Sequence, residues 1–154
     1  LNTRQTLLKH VTINRLKDYL ARKEWAKVPF GREEVQKFTH RCGSECYEVF
    51  VPSRSDLVDY NRVVEIAIWT ISAIEDRSFD TVLEDILPCV LVELVEIRSL
   101  IGDCECLIGK HRDEFALRQS LESLRSRERS LEIEYALVDT DSETVDEHYR
   151  KVER

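Results

Sequence analysis

The sequence predicts an α+β fold, an antiparallel sheet with helices in the order α-β-β-β-α-(α)-β-β-α. Three observations carry this reading. Two alternating segments, EVQKFTH and CYEVFVPS, flank the turn-like Arg41-Cys42-Gly43-Ser44. The run from Asp56 to Arg77 holds apolar residues at helical spacing. From His111 onward Leu117, Leu121, Leu124, Leu131, Tyr135 and Val138 recur at steps of four and three, as on a long amphipathic helix.

Taken in order, Ile13, Leu16 and Leu20 share one face of a short basic helix, with Thr12 placed to cap it. A Pro and a Gly in WAKVPFG end that helix, and Trp25 to Phe30 is expected to add a strand beside the hairpin. Within the hairpin, alternation turns Val35 and Phe38, or Tyr47, Val49 and Val51, inward. Pro52 disfavours an earlier helix start, so Ser55 or Asp56 is expected to open the core helix. Its stripe is Leu57, Tyr60, Val64, Ala67, Ile71 and Ile74, widened by Val63 and Ile68. Ser78 caps a second short helix through Leu87, which Pro88 closes. VLVELVEIR fits either period; its Val and Ile content predicts a strand, with Gly102-Asp103 turning it back into a second strand, CECLIG, closed by Gly109. The last helix runs from His111 to Val138, with Glu128 at the one polar position in its stripe.

The chain of 154 residues is sized for one hydrophobic core, expected over residues 1–138, with 139–154 a polar tail or short helix. Hydrophobic residues at 42% against 34% charged ones separate it from disordered chains. Residues 1–44 hold 10 basic and 4 acidic groups, a net +6, whereas residues 45–103 hold 4 and 13, a net −9. An overall charge of −7 disfavours nucleic acid as the main partner, and the basic first helix is read as balancing the acidic middle. Five cysteines, an odd number, fit reduced thiols in the cytoplasm better than a disulfide framework. The apolar runs fall short of the roughly 20 residues that cross a bilayer, so no membrane association is expected.

The order of elements resembles that of the small acidic chaperones that escort effectors of bacterial secretion systems, α-β-β-β-α-β-β-α, over Thr12 to Val138. That resemblance implies dimerisation through the second helix and last strands, with an extended partner wrapped on a hydrophobic surface. The helix at Ser78 to Leu87, the length and the polar tail depart from it.

The candidate chemistry is sparse. His40, Cys42 and Cys46 lie across the hairpin turn, and Cys104-x-Cys106 on a strand would point both thiols to one face. Zinc needs four convergent ligands, so these read as free cysteines, without metal or cofactor. Asp80 and Glu84 at i,i+4 read as a solvated edge. No Walker loop, GxSxG elbow or HExxH helix occurs, so the chain is read as no enzyme; a low-solvent pocket with convergent Cys, His and carboxylates would revive that class.

Trp69 is more informative, because Arg62, Glu65, Ser72 and Asp76 surround it on the side of its helix opposite the apolar stripe. It is expected to be covered by another element, by a second copy, or by a partner it anchors. The function expected is a non-catalytic protein-interaction module, an adaptor or chaperone-like component of a bacterial multiprotein system, forming a homodimer. Trp69 and the last helix, with Leu124, Leu131 and Tyr135, are its candidate apolar contacts, and Asp59, Glu65 and Asp76 would set orientation. The competing reading is a small acidic, immunity-type inhibitor of a basic enzyme.

Overall fold

A computed structural model of the chain describes residues 3–108, 110 and 114–140. The elements are α1 (Thr3–Leu8), α2 (Ile13–Arg22), β1 (Ala26–Val28), β2 (Val35–Cys42), β3 (Glu45–Pro52), α3 (Tyr60–Glu75), α4 (Phe79–Ile86), α5 (Cys89–Leu107) and α6 (Glu114–Thr140). The fold is α+β, as the sequence predicts. Contacts divide the described residues into two compact units, one of residues 8–87 and one in which residues 3–7 join the described residues from 88 to 140.

In residues 8–87 the three strands pair antiparallel in the order β1-β2-β3. The β2–β3 register sets Phe38 opposite Val49 and His40 opposite Tyr47. Alternation then turns Phe38, Val49 and Val51 inward, where all three are buried. The hairpin turn is Gly43-Ser44, with Gly43 at φ 62°. A left-handed first loop residue matches the strand twist, and glycine takes it without a Cβ penalty. Thr12 caps α2 by accepting the Arg15 N–H at 3.2 Å, and Ser78 caps α4 by accepting the Thr81 N–H at 3.2 Å. Helix α3 lies against β3, and α4 against α2 and α3. They close a core of Leu16, Tyr19, Leu20, Ile68, Ile71 and Leu83 on the strands.

Helix α3 starts at Tyr60, later than the expected Ser55 or Asp56. Asp56 and Val58 are exposed, and the Tyr60 N–H bonds to the Leu57 carbonyl at 3.1 Å in a turn. Continuous burial begins only with the next turn, so nothing draws the earlier residues into the helix.

The second unit corrects the sequence reading. The segments VLVELVEIR and CECLIG, expected as two strands, lie up to Leu107 in the single helix α5 (Cys89–Leu107), antiparallel to α6. Among the described residues the last two strands of the secretion-chaperone order are therefore not present. β-propensity is a weak prior that packing overrides: Val90, Leu94, Ile97, Ile101, Cys104 and Ile108 fall at helical steps of four and three, and all belong to the seam with Leu121, Leu124 and Leu131 of α6. Pro88 is tolerated as the N-cap because it ends before the first helical donor is required. Gly102 stays within the helix, where its cost relative to Ala is about 1 kcal/mol.

Glu128, the one polar residue in the stripe of α6, is satisfied at the edge of the seam. It is half-buried, accepts Arg98 Nε of α5 at 3.1 Å, and is followed by the fully buried Leu131. Gly109, His111 and the tail beyond Thr140 lie outside the described residues.

Candidate functional site

Two surface features in residues 8–87 carry unused chemistry. The first is the outer stripe of α3, Ile66, Trp69 and Ala73 at i, i+3 and i+7. Ile66 is 54% and Trp69 50% exposed, and Ala73 is exposed beside them. One side of the indole rests on the buried Phe79 of α4, ring centroids 4.7 Å apart. The same unit thus covers about half of Trp69 and leaves the rest open. Asp59 and Asp76 are exposed at the two ends of α3, and Glu65 is half-buried on its flank.

The predicted contacts on α6 are placed differently. Leu131 is fully buried in the α5–α6 seam, Leu124 packs partly buried against it, and Tyr135 is half-buried. The exposed large apolar residues of α6 are instead Phe115, Ile133, Leu137 and Val138.

The second feature is a recess of about 420 Å³ lined by Lys23, Trp25, His40, Cys42, Glu75 and Arg77, with Tyr47 and Ile74. Its parts come from three places: the end of α2, the tip of the β2–β3 hairpin and the end of α3. His40 and Cys42 sit two apart on β2 and so project to one face. The His40 ring stacks on buried Trp25, centroids 5.3 Å apart at 30°.

Both helix ends at the recess turn through a left-handed non-glycine residue, Glu24 at φ 62° and Asp76 at φ 52°. These immediately precede Trp25 and Arg77. Each takes the left-handed position that commonly closes a helix, at a cost of roughly 1–2 kcal/mol for a residue with a Cβ. At the first turn the Trp25 N–H bonds to the Leu20 carbonyl at 2.9 Å, which swings the indole back under His40.

The floor is a cross-paired polar chain. The fully buried Tyr19 donates its hydroxyl to Glu75 Oε2 at 2.7 Å, and Arg77 Nη1 donates to the same oxygen at 3.1 Å. Arg77 Nη2 pairs with Asp85. Burial, then the Glu75 hydrogen bond, push the Tyr19 pKa above its ordinary 10.0. The hydrogen bond to Asp85 raises that of Arg77. Lys23 Nζ lies 5.6 Å from the Tyr19 ring centroid. Among the described residues neither the Lys23 ammonium nor the His40 imidazole has a side-chain or backbone hydrogen-bond partner.

Cys42 and Cys46 leave the sheet on opposite faces, since Cys46 pairs with Arg41 and not with Cys42. Cys104 and Cys106 lie on helix α5, where residues two apart point about 200° away from each other; the common strand face expected for them does not exist. Among the described residues no three His, Cys, Asp or Glu side chains are grouped to hold a metal ion. Asp80 and Glu84 are both exposed on α4. Among the described residues no helix is long and apolar enough to cross a membrane.

Sequence reasoning found Trp69 from the helical wheel and missed the recess. Its one local signal was His40-x-Cys42, two polar side chains on the inward face of a strand. No protein-family model, curated protein or solved structure matches the chain.

Proposed function

We propose that the chain is a non-catalytic protein-interaction module, an adaptor or chaperone-like component of a bacterial multiprotein system that works as a homodimer in the cytoplasm. The observation that supports this is the half-exposed Trp69 on the open stripe with Ile66 and Ala73. Covering the open half of a Trp, roughly 100 Å², contributes about 2.5 kcal/mol to association. Aromatic anchors of this kind dominate interface energies. The acidic groups at Asp59, Glu65 and Asp76 would orient an apolar segment that carries basic flanks.

The test is the mass of the reduced chain in solution against concentration, for the parent and for Trp69→Ala. The reading expects a mass of twice 18.1 kDa that falls to the monomer value in the variant, with an unchanged circular dichroism spectrum. A parent that stays monomeric at high concentration would sink the homodimer. Loss of fold in the variant would make Trp69 a core residue and remove the stripe as an anchor.

A further inference from the structure

We propose that the recess between the end of α2, the hairpin tip and the end of α3 binds a small organic oxyanion with a flat apolar body. Lys23 and His40 hold the anionic group, and Trp25 and His40 form the wall that takes the flat part. The site is independent of the partner surface, since Trp69 is not among the residues lining it.

Shape comes first. A volume of about 420 Å³ lies within the roughly 300–1,000 Å³ of small-molecule pockets. Among the described residues Glu24 and Asp76 are the only non-glycine positions with positive φ, and they stand directly before Trp25 and Arg77. Each is a left-handed helix cap closed by a bond from the next residue's N–H, Trp25 to the Leu20 carbonyl and Arg77 to the Ser72 carbonyl, and so fixes where those two side chains leave the backbone.

Charge then selects the ligand. Glu75 is the one carboxylate among the lining residues, and its Oε2 already accepts both Tyr19 and Arg77. Arg77 is in turn held by Asp85, so two carboxylates share one guanidinium and fix the floor; of the lining residues, Lys23 and Arg77 against Glu75 leave a single positive charge facing the recess. The donors left open are the ammonium of Lys23 and the imidazole of His40. The exposed Lys23 ammonium and an N–H of the His40 imidazole offer two donors that suit an oxyanion, a carboxylate or a phosphate. The stacked Trp25–His40 pair beside Ile74 and Tyr47 offers a planar, largely apolar wall, which suits an aromatic ring. Cys42 borders the site without a base hydrogen-bonded to it among the described residues, so binding requires no covalent step.

The experiment uses the full chain with Trp69→Phe, which leaves Trp25 as the one indole of the two in the sequence. Phenyl phosphate, benzoate, inorganic phosphate and phenol are titrated separately while Trp25 fluorescence and the His40 NMR signals are followed. The aromatic anions are expected to saturate both reporters, with inorganic phosphate and phenol each binding at least about tenfold more weakly. Lys23→Ala, a change at an exposed side chain, should weaken phenyl phosphate about tenfold or more with circular dichroism unchanged. His40→Gln should do the same for benzoate. Failure of both aromatic anions to move either reporter at millimolar concentration overturns the site. So does binding that Lys23→Ala leaves intact. Phenyl phosphate saturating without benzoate narrows the ligand to phosphate esters, and the converse narrows it to carboxylates.

Discussion

The α+β unit of residues 8–87 and the α5–α6 hairpin bury apolar side chains in both cases, but they fix their alignment by different means. In the first, Tyr19, Phe38, Val49 and Ile71 come from four elements and are fully or almost fully buried. A slip of one residue would turn Phe38 of β2, or Val49 and Val51 of β3, to solvent, so burial sets the register together with the two-residue Gly43-Ser44 turn. In the hairpin, aliphatic residues at steps of four and three would seal nearly as well after a slide of one heptad. There the seam is edged by ion pairs that one alignment satisfies: Arg98 with Glu128 and Glu132, Arg125 with Glu105, and Arg127 with Glu93. Each pair is half-exposed and individually weak. A set of them still discriminates between registers, because a shifted helix leaves several unpaired or opposed at once.

The largest expected effect tests the apolar side of this contrast. Phe38→Ala should cost about 4 kcal/mol and Leu131→Ala about 3 kcal/mol in urea unfolding. A loss below about 1 kcal/mol at Phe38 would mean that the sheet core collapses around the gap.

Tyr19→Phe should cost about 1–2 kcal/mol at neutral pH, since Glu75 loses a donor. It should also change the alkaline limb. The Tyr19 pKa is raised in the folded chain, chiefly by burial and then by Glu75. The folded state therefore holds the phenol proton more tightly, and this stability is fully present below pH 10.0, the ordinary value, and declines as pH rises above it. The variant should lose less stability above that pH than the parent, as read by urea unfolding across an alkaline pH series.

Salt sharpens the other side. Arg127→Ala should destabilise the hairpin by about 0.5–1 kcal/mol at low ionic strength and by much less at 1 M salt. Phe38→Ala should keep its full cost under both conditions. Equal salt dependence of the two would break the distinction drawn between the units.

The smallest effect has the opposite sign. Glu24→Gly should stabilise the chain by about 0.5 kcal/mol in urea unfolding, because glycine accepts the left-handed backbone at φ 62° with no Cβ penalty. The gain is kept small by the larger entropy that glycine loses on folding.

Much of the fold was legible residue by residue. Thr12 and Ser78 are the caps they were expected to be, Gly43 makes the hairpin turn, and Phe38, Val49 and Val51 face inward. These are local facts, set by side-chain oxygens, missing Cβ atoms and alternation. Residues 89–107 misled because Val and Ile favour strands where no packing is known. The spacing from Val90 to Ile108 held the better signal, and it needed the facing α6 to give it weight. Trp69 was legible as an outward aromatic, and its partial cover by Phe79 was not, since the angle between α3 and α4 is unwritten in either helix.

By itself the sequence determined where the chain turns and caps, which faces of α2, α3 and the hairpin are apolar, and that α6 carries a stripe requiring cover. Tertiary structure decided that α5 is a helix, that Arg98 admits Glu128 to the seam, and that Lys23, Trp25, His40 and Arg77 meet at one recess. Periodicity and capping act over a few residues and can be read along the chain. Helix cover, ion-pair alignment and the meeting of two helix ends depend on distances between residues far apart in sequence, which only the packed core fixes.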